Sequence, residues 1–187
     1  MLRQWKADIY YFQETKLKIV SHLVIHNLWN CNYVGWVELV SNGASGGIIV
    51  IWDRRVVEVV NHYVGEFLVA CHFKNVVDGV EWAFAGIYGP NLDSCRSLLW
   101  DEIAGICSWW DLPWCFGGDF NITRFSCERV GDSIISKAMF DFSEFISMMQ
   151  LIDLPMVGGD FTWSNGRAWS RIDRFLVSAS WEAFFRS

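Results

Sequence analysis

The residues best suited to chemistry are Asp119 and Asn121, in the stretch Phe116-Gly117-Gly118-Asp119-Phe120-Asn121. An apolar run, Trp114-Cys115-Phe116, leads into two glycines, and a carboxylate and an amide follow two residues apart. Positions i and i+2 of a strand share a face. Asp119 and Asn121 are therefore expected to project together from a strand end, with Phe120 turned into the core. The glycines allow a ligand or another backbone to come close. A carboxylate beside an amide suits a hard cation, a phosphate or an attacking water. Many Gly-Asp turns do nothing but turn, so this motif gains its meaning from the rest of the chain.

Glu14 is a second candidate. The run Ile9-Tyr10-Tyr11-Phe12 ends on Gln13-Glu14-Thr15-Lys16. It reads as a strand buried on both faces, in the manner of parallel or mixed sheets, with a polar end. Functional groups of α/β proteins gather at such ends. On this segment alone, a surface glutamate following a strand is the simpler reading.

The elements that must position these groups are legible in outline. Met1 to Lys6 resembles the last turns of a helix. Asn32 to Val40 is strand-like, Ser41 to Gly47 is a loop, and Ile48-Ile49-Val50-Ile51-Trp52 is a β-branched strand closed by Asp53. Val56 to His62, Glu66 to Phe73 and Val80 to Tyr88 follow at meander spacing, the last two joined through Asp78-Gly79. Pro90 ends that sheet. A helix capped by Asp93 or Ser94 runs to about Trp109, with Cys95, Leu99, Ile103 and Ile106 as its apolar stripe. Phe125 to Asp132 is a loop. Ile135, Met139, Phe142, Phe145, Ile146 and Met149 mark a second amphipathic helix, whose stripe reads as core. Phe161 to Trp163 is a short strand, and Ser170 to Val177 is the last strand, with Arg171, Asp173 and Phe175 on one face. Ser180 is placed to cap a final short helix.

At 187 residues the chain fits one domain, 1–187, with a sizeable core. Hydrophobic residues at 52% against 19% charged exclude disorder. A net charge of −6 argues against binding nucleic acid through bulk electrostatics. It leaves a nuclease open, because a bound cation reverses the local sign. No two of the six cysteines are spaced C-x-x-C, which argues against zinc. Cys71 and Cys115 read as small core residues. The sequence shows no signal-peptide pattern and no run long enough to span a membrane. An intracellular setting, nuclear or cytoplasmic, with no membrane partner, is the expectation.

Four segments fall in one order: Gln-Glu-Thr-Lys at 13–16, Tyr-Gly-Pro-Asn at 88–91, Gly-Asp-Phe-Asn at 118–121 and Ser-Arg-Ile-Asp-Arg-Phe at 170–175. The ordered set resembles the endonuclease/exonuclease/phosphatase superfamily, the fold of DNase I and the apurinic/apyrimidinic endonucleases. The tail, Phe-Thr-Trp-Ser-Asn followed by Ser-Arg-Ile-Asp-Arg-Phe-Leu-Val-Ser, looks most like the endonuclease domain of plant non-LTR (LINE-type) retrotransposons. The resemblance implies an α+β fold, a DNase I-like four-layer α/β/β/α sandwich of two mixed β-sheets. It implies hydrolysis of DNA phosphodiesters with Mg²⁺ or Mn²⁺. Glu14 matches the metal-binding glutamate, and Asp119 matches the aspartate that orients or deprotonates the attacking water. Asn121 matches the asparagine holding water and phosphate, Tyr88 the tyrosine whose hydroxyl reaches the scissile phosphate, and Asn91 a nearby phosphate contact. Asp173 matches the aspartate that orients a catalytic histidine. On the family's geometry Glu14 and Asp119 converge.

The family pattern also has a first strand bearing a site asparagine and a last strand beginning Ser-Asp-His. Neither occurs in the sequence given, and none of His22, His26, His62 and His72 sits in such a motif. The chain is thus expected to be a fragment lacking the first and last strands, truncated at both ends, with activity weak or lost. The alternative is a non-catalytic remnant that binds a cation or nucleic acid weakly. A phosphatase of inositol phosphates or sphingolipids fits the tail least well.

Overall fold

The structure, a computed structural model, describes residues 7–41, 46–131 and 134–185. The helix end expected over Met1 to Lys6 lies outside the described residues, as does most of the loop after Ser41. The chain divides into two compact units, Met1–Tyr88 and Gly89–Ser187. Among the described residues no helix is long and apolar enough to cross a membrane.

The first unit is built from two groups of antiparallel strands. β1 (Ile9–Gln13), β2 (Val34–Leu39) and β3 (Ile48–Asp53) pair in the order β1-β3-β2. β4 (Val57–Val64), β5 (Leu68–Asn75) and β6 (Glu81–Tyr88) form a meander. Every residue of β3 is buried, as a continuous β-branched run requires. The strand period of two divides its side chains between two layers. Ile49 and Ile51 join Tyr10, Phe12, Val34 and Ile25 of α1 (His22–Leu28) on one side. On the other side Trp52 meets Phe73 edge-on with ring centroids 5.6 Å apart, and Tyr11 of β1 meets Phe84 at 6.0 Å. Gly86 makes room for that tyrosine, since a Cβ there would lie 2.3 Å from the Tyr11 ring. The β5–β6 hairpin turns through Gly79 at φ +71°, as its Asp-Gly pair implies.

Two expectations are corrected here. β1 runs antiparallel to β3 and is half-buried along its length, not buried on both faces; among the described residues it pairs with β3 alone, at the edge of its group. No element is expected from the sequence between Lys16 and Asn32, yet α1 occupies it. Ser21 caps α1, its Oγ accepting from the Val24 N–H at 3.4 Å.

In the second unit β7 (Trp114–Asp119), β9 (Leu151–Asp153) and β12 (Asp173–Ser178) form an antiparallel group in the order β7-β12-β9. β8 (Arg129–Val130), β10 (Trp163–Ser164) and β11 (Trp169–Ser170) form a second, small one. α2 (Arg96–Trp109) buries Leu99, Ile103 and Ile106, and α3 (Lys137–Met148) buries Met139, Phe142, Phe145 and Ile146. An aromatic stack joins them to Phe120, the residue that follows β7. Trp100 lies 5.2 Å from Phe142 and 4.6 Å from Phe145, and Phe142 lies 5.4 Å from the fully buried Phe120.

The details differ from the sequence reading in five places. Neither Asp93 nor Ser94 caps α2; a short 3-10 turn, Asp93–Cys95, precedes it, and the Asp93 carboxylate pairs with Arg96 instead. The glycines 117 and 118 lie inside β7 rather than ending it. The run Ser170 to Val177 is broken, with Ser170 in β11 and β12 starting at Asp173, so Arg171 does not share a strand face with Asp173 and Phe175. α4 (Ala179–Phe185) is capped by Ser178, whose Oγ accepts from the Trp181 N–H at 3.2 Å, and Ser180 lies within the helix. The expected loop from Phe125 contains a 3-10 turn, Ser126–Glu128, and the two residues of β8.

Candidate active site

In the first unit the candidate residues are Glu14 and Tyr88, 74 positions apart in sequence. β1 stops at Gln13, and Glu14 adopts φ +50° and Lys16 φ +55°. Both lie in the left-handed region that costs ordinary side chains energy. Backbone hydrogen bonds hold this turn: Thr15 N donates to Gly47 O at 3.2 Å and Lys16 N to Gly46 O at 3.1 Å. Gly47 sits at φ +91°, and a Cβ on it would lie 2.4 Å from Thr15 Oγ1. The turn thus delivers an exposed Glu14 carboxylate to the hydroxyl of Tyr88, which donates to Oε1 at 2.8 Å.

In the second unit the structure brings Asp119, Asn121 and Asp173 together. β12 lies antiparallel to β7 with Asp173 directly opposite Asp119. Like charges in that relation destabilise a sheet, and Asp119 is only 8% exposed. The N–H groups of Ile172 and Asp173 both donate to Thr162 Oγ1 at 3.0 Å, which fixes the start of β12.

Asn121 reaches Asp119 by a different route from the one its spacing implies. β7 ends at Asp119, and Asn121 adopts φ +52°, so the two do not alternate along a strand. The Asn121 N–H instead donates to Asp119 Oδ1 at 2.6 Å, an Asx-type turn. Its side-chain Nδ2 donates to Gly89 O at 2.7 Å, and Gly89 N donates to Asp119 O at 2.7 Å. Asn91 is exposed, and its carbonyl accepts from Arg96 Nη2 at 3.5 Å.

Three residues that serve this arrangement are given no role by the sequence reading. Gly89 is one, since a Cβ there would lie 2.7 Å from the Phe120 carbonyl oxygen. Thr162 is another: it lies in the Phe-Thr-Trp-Ser-Asn stretch that carries the resemblance, but its local pattern assigns it no contact. Arg96 is the third, buried beside Leu99 and Ile103 at helical spacing. A charged residue on an apolar stripe was the available signal. Burial pushes the pKa of its guanidinium down.

Among the described residues no group of three or more His, Cys, Asp or Glu side chains is placed to hold a metal ion. Glu14 fits a lighter demand. Mg²⁺ keeps several waters and takes one or two carboxylates together with substrate phosphates, so a single exposed carboxylate on a braced turn suits it. The six cysteines are free thiols, and burial pushes Cys71, Cys107 and Cys115 up to about 12, which leaves them inert.

No curated protein sequence matches the chain. Solved structures share its fold. The endonuclease domain of TRAS1, a telomere-specific non-LTR retrotransposon, is 15% identical with a TM-score of 0.71, over 96% of this chain and 76% of that one. An AP endonuclease from Leishmania major is 14% identical with a TM-score of 0.69, over 95% and 72%. A mannosyl-6-phosphatase from Bacteroides thetaiotaomicron is 16% identical with a TM-score of 0.62, over 96% and 74%. The chain has the mixed α+β, DNase I-like fold of these proteins. Residues 1–187 match the sequence pattern of the endonuclease/exonuclease/phosphatase family across its span. The chain therefore belongs to that family, hydrolases of nuclease, phosphodiesterase and phosphatase type that generally use divalent metals.

Proposed function

We propose that the chain hydrolyses phosphodiesters of DNA with Mg²⁺ or Mn²⁺, as an endonuclease of non-LTR retrotransposon origin. The observation that carries the reading is that residues from separate motifs converge within each unit. Tyr88 closes on Glu14 in the first, and Asp119, Asn121 and Asp173 gather in the second. A bound cation would neutralise charge building on the phosphoryl oxygens. Glu14 would be its protein ligand, and the Tyr88 hydroxyl, whose single proton goes to Glu14 Oε1 in the structure, would turn that proton to the phosphate once a cation holds the carboxylate. Asp119 accepts the proton of the attacking water. Asn121, with its Nδ2 committed to Gly89, presents Oδ1 to the same water. Asn91 contacts phosphate, and Asp173 sets the electrostatic environment of Asp119 across the sheet. The resemblance of the tail, residues 161–178, to retrotransposon endonuclease domains favours DNA over small phosphate esters.

The test is nicking of supercoiled plasmid by the full chain with Mg²⁺ and with EDTA. Weak cation-dependent nicking that disappears in Asp119→Ala is expected, since removal of a central catalytic group costs several powers of ten. Cation binding with no turnover in the parent chain would refute the enzyme and leave a non-catalytic remnant.

A further inference from the structure

Arg96 opens α2 with a side chain only 8% exposed. A purely structural buried arginine is expected to bond carboxylates, as Arg174 bonds Glu128 and Asp153. Among the described residues Arg96 meets one carboxylate, that of the largely exposed Asp93. Its Nη2 turns to main-chain carbonyls, that of Asn121 at 2.7 Å and that of Asn91 at 3.5 Å. Those are the carbonyls of the two asparagines to which the proposed function gives phosphate and water contacts.

The effect on Asn121 is specific. Its main-chain N–H is tied to Asp119 Oδ1, its side-chain amide to Gly89 O, and its carbonyl to Arg96. The residue sits at φ +52°, outside the strand, where no ladder partner fixes the peptide plane. A left-handed residue persists only where its surroundings over-determine it. Of its three ties, Arg96 is the one supplied by a side chain of the packed helix stripe, so it anchors the turn to the core.

We propose that Arg96 is a positioning residue of the hydrolytic site: it clasps the carbonyls of Asn91 and Asn121 and holds the Asn121 amide in place beside Asp119. The hydrolytic part of this rests on the function proposed above. A guanidinium reaches two carbonyls with fixed, planar donors, and an ammonium on a shorter reach does not reproduce that geometry.

Arg96→Met and Arg96→Lys, made in the full chain, test the proposal with two readouts. The first is hydrogen exchange of the Asn121 side-chain amide by NMR, its resonance assigned by its absence in Asn121→Asp. The Arg96→Met protein should exchange these protons at least about tenfold faster, while core amides of β7 keep their protection. The second is Mg²⁺-dependent plasmid nicking. Arg96→Met should lower kcat by about 10- to 100-fold with KM within about twofold, the mark of lost positioning rather than lost binding. Arg96→Lys should fall between the two proteins in both readouts, and it decides the question by itself if Arg96→Met does not fold. Unchanged Asn121 exchange in a folded Arg96→Met protein, or Arg96→Lys matching the parent in both readouts, would overturn the proposal. A parent chain that does not nick counts against the proposed function, and the Asn121 exchange then decides Arg96.

Discussion

Replacing Glu128 by glutamine tests the charged network that holds the start of β12. The Glu128 carboxylate is 7% exposed and accepts from Arg174 Nη2 at 2.7 Å, from Arg174 Nη1 and Arg171 Nη1 at 3.2 Å, and from the main-chain N–H groups of Arg124 at 2.6 Å and Phe125 at 3.2 Å. Asp153 is the other anion, 2.6 Å from Arg174 and 2.9 Å from Arg171. The Arg174 side chain is fully buried. Removing one partner of a buried pair costs about 3–5 kcal/mol because it strands the other charge. Asp153 remains to receive both arginines, and glutamine keeps the shape, so the lower end, about 3 kcal/mol, is expected for Glu128→Gln. At about 2–4 °C per kcal/mol for a chain of this size, the melting temperature should fall by roughly 6–12 °C at neutral pH.

The effect should depend on pH with a definite sign. Burial pushes the Glu128 carboxyl up, but the hydrogen bond and charge of Arg174, with the main-chain donors of Arg124 and Phe125, outweigh it, and the net shift is downward. A carboxyl depressed in the folded state stabilises the protein above its unfolded pKa, about 4.3 for glutamate, and that stability is lost as pH falls through the folded value. The gap between parent and Glu128→Gln should therefore be full at neutral pH and narrow on acidification below about 4. Thermal and urea unfolding at both pH values measure it. A loss under about 1 kcal/mol at neutral pH, or a gap that widens on acidification, would refute the reasoning.

Two further outcomes are expected. A cation at a hundredfold excess over its Kd should stabilise the folded chain by about 2.7 kcal/mol, and Glu14→Gln should abolish most of that gain; differential scanning fluorimetry with and without Mg²⁺ reads it, and an undiminished shift in the variant would remove Glu14 as the ligand. Gly89→Ala would place a methyl 2.7 Å from the Phe120 carbonyl oxygen, so a destabilisation of about 1–3 kcal/mol, typical of forced overpacking, should accompany loss of nicking; wild-type behaviour in both measurements would show that this backbone approach is not needed.

What was legible in the sequence was whatever local pattern determines. The β-branched run Ile48 to Trp52 forms a buried strand, the Asp78-Gly79 turn closes a hairpin, and the stripe Met139, Phe142, Phe145 and Ile146 faces the core. Periodicity settles these because each element buries one set of residues at its own repeat. Phe120 is likewise fully buried. The four ordered motifs identify the family, since their order is a property of the chain itself.

Tertiary structure decided the rest. Asp119 and Asn121 lie close because Asn121 leaves the strand, turns left-handed and is caught by the Asp119 carboxylate, not because strand residues alternate. Asp173 faces Asp119 through a ladder whose register no local pattern encodes. Arg171 and Arg174 look alike in sequence, yet Arg174 is fully buried on β12 while Arg171 precedes the strand, and both converge on Glu128 and Asp153 from distant elements. Arg96 reads as one charged residue at the edge of an apolar helix until the fold places two loop carbonyls against it. Burial of a charge and the left-handed turn at Asn121 each cost free energy locally and persist only where partners distant in sequence offset that cost. A single sequence names the residues, but those partners exist only once the chain has folded.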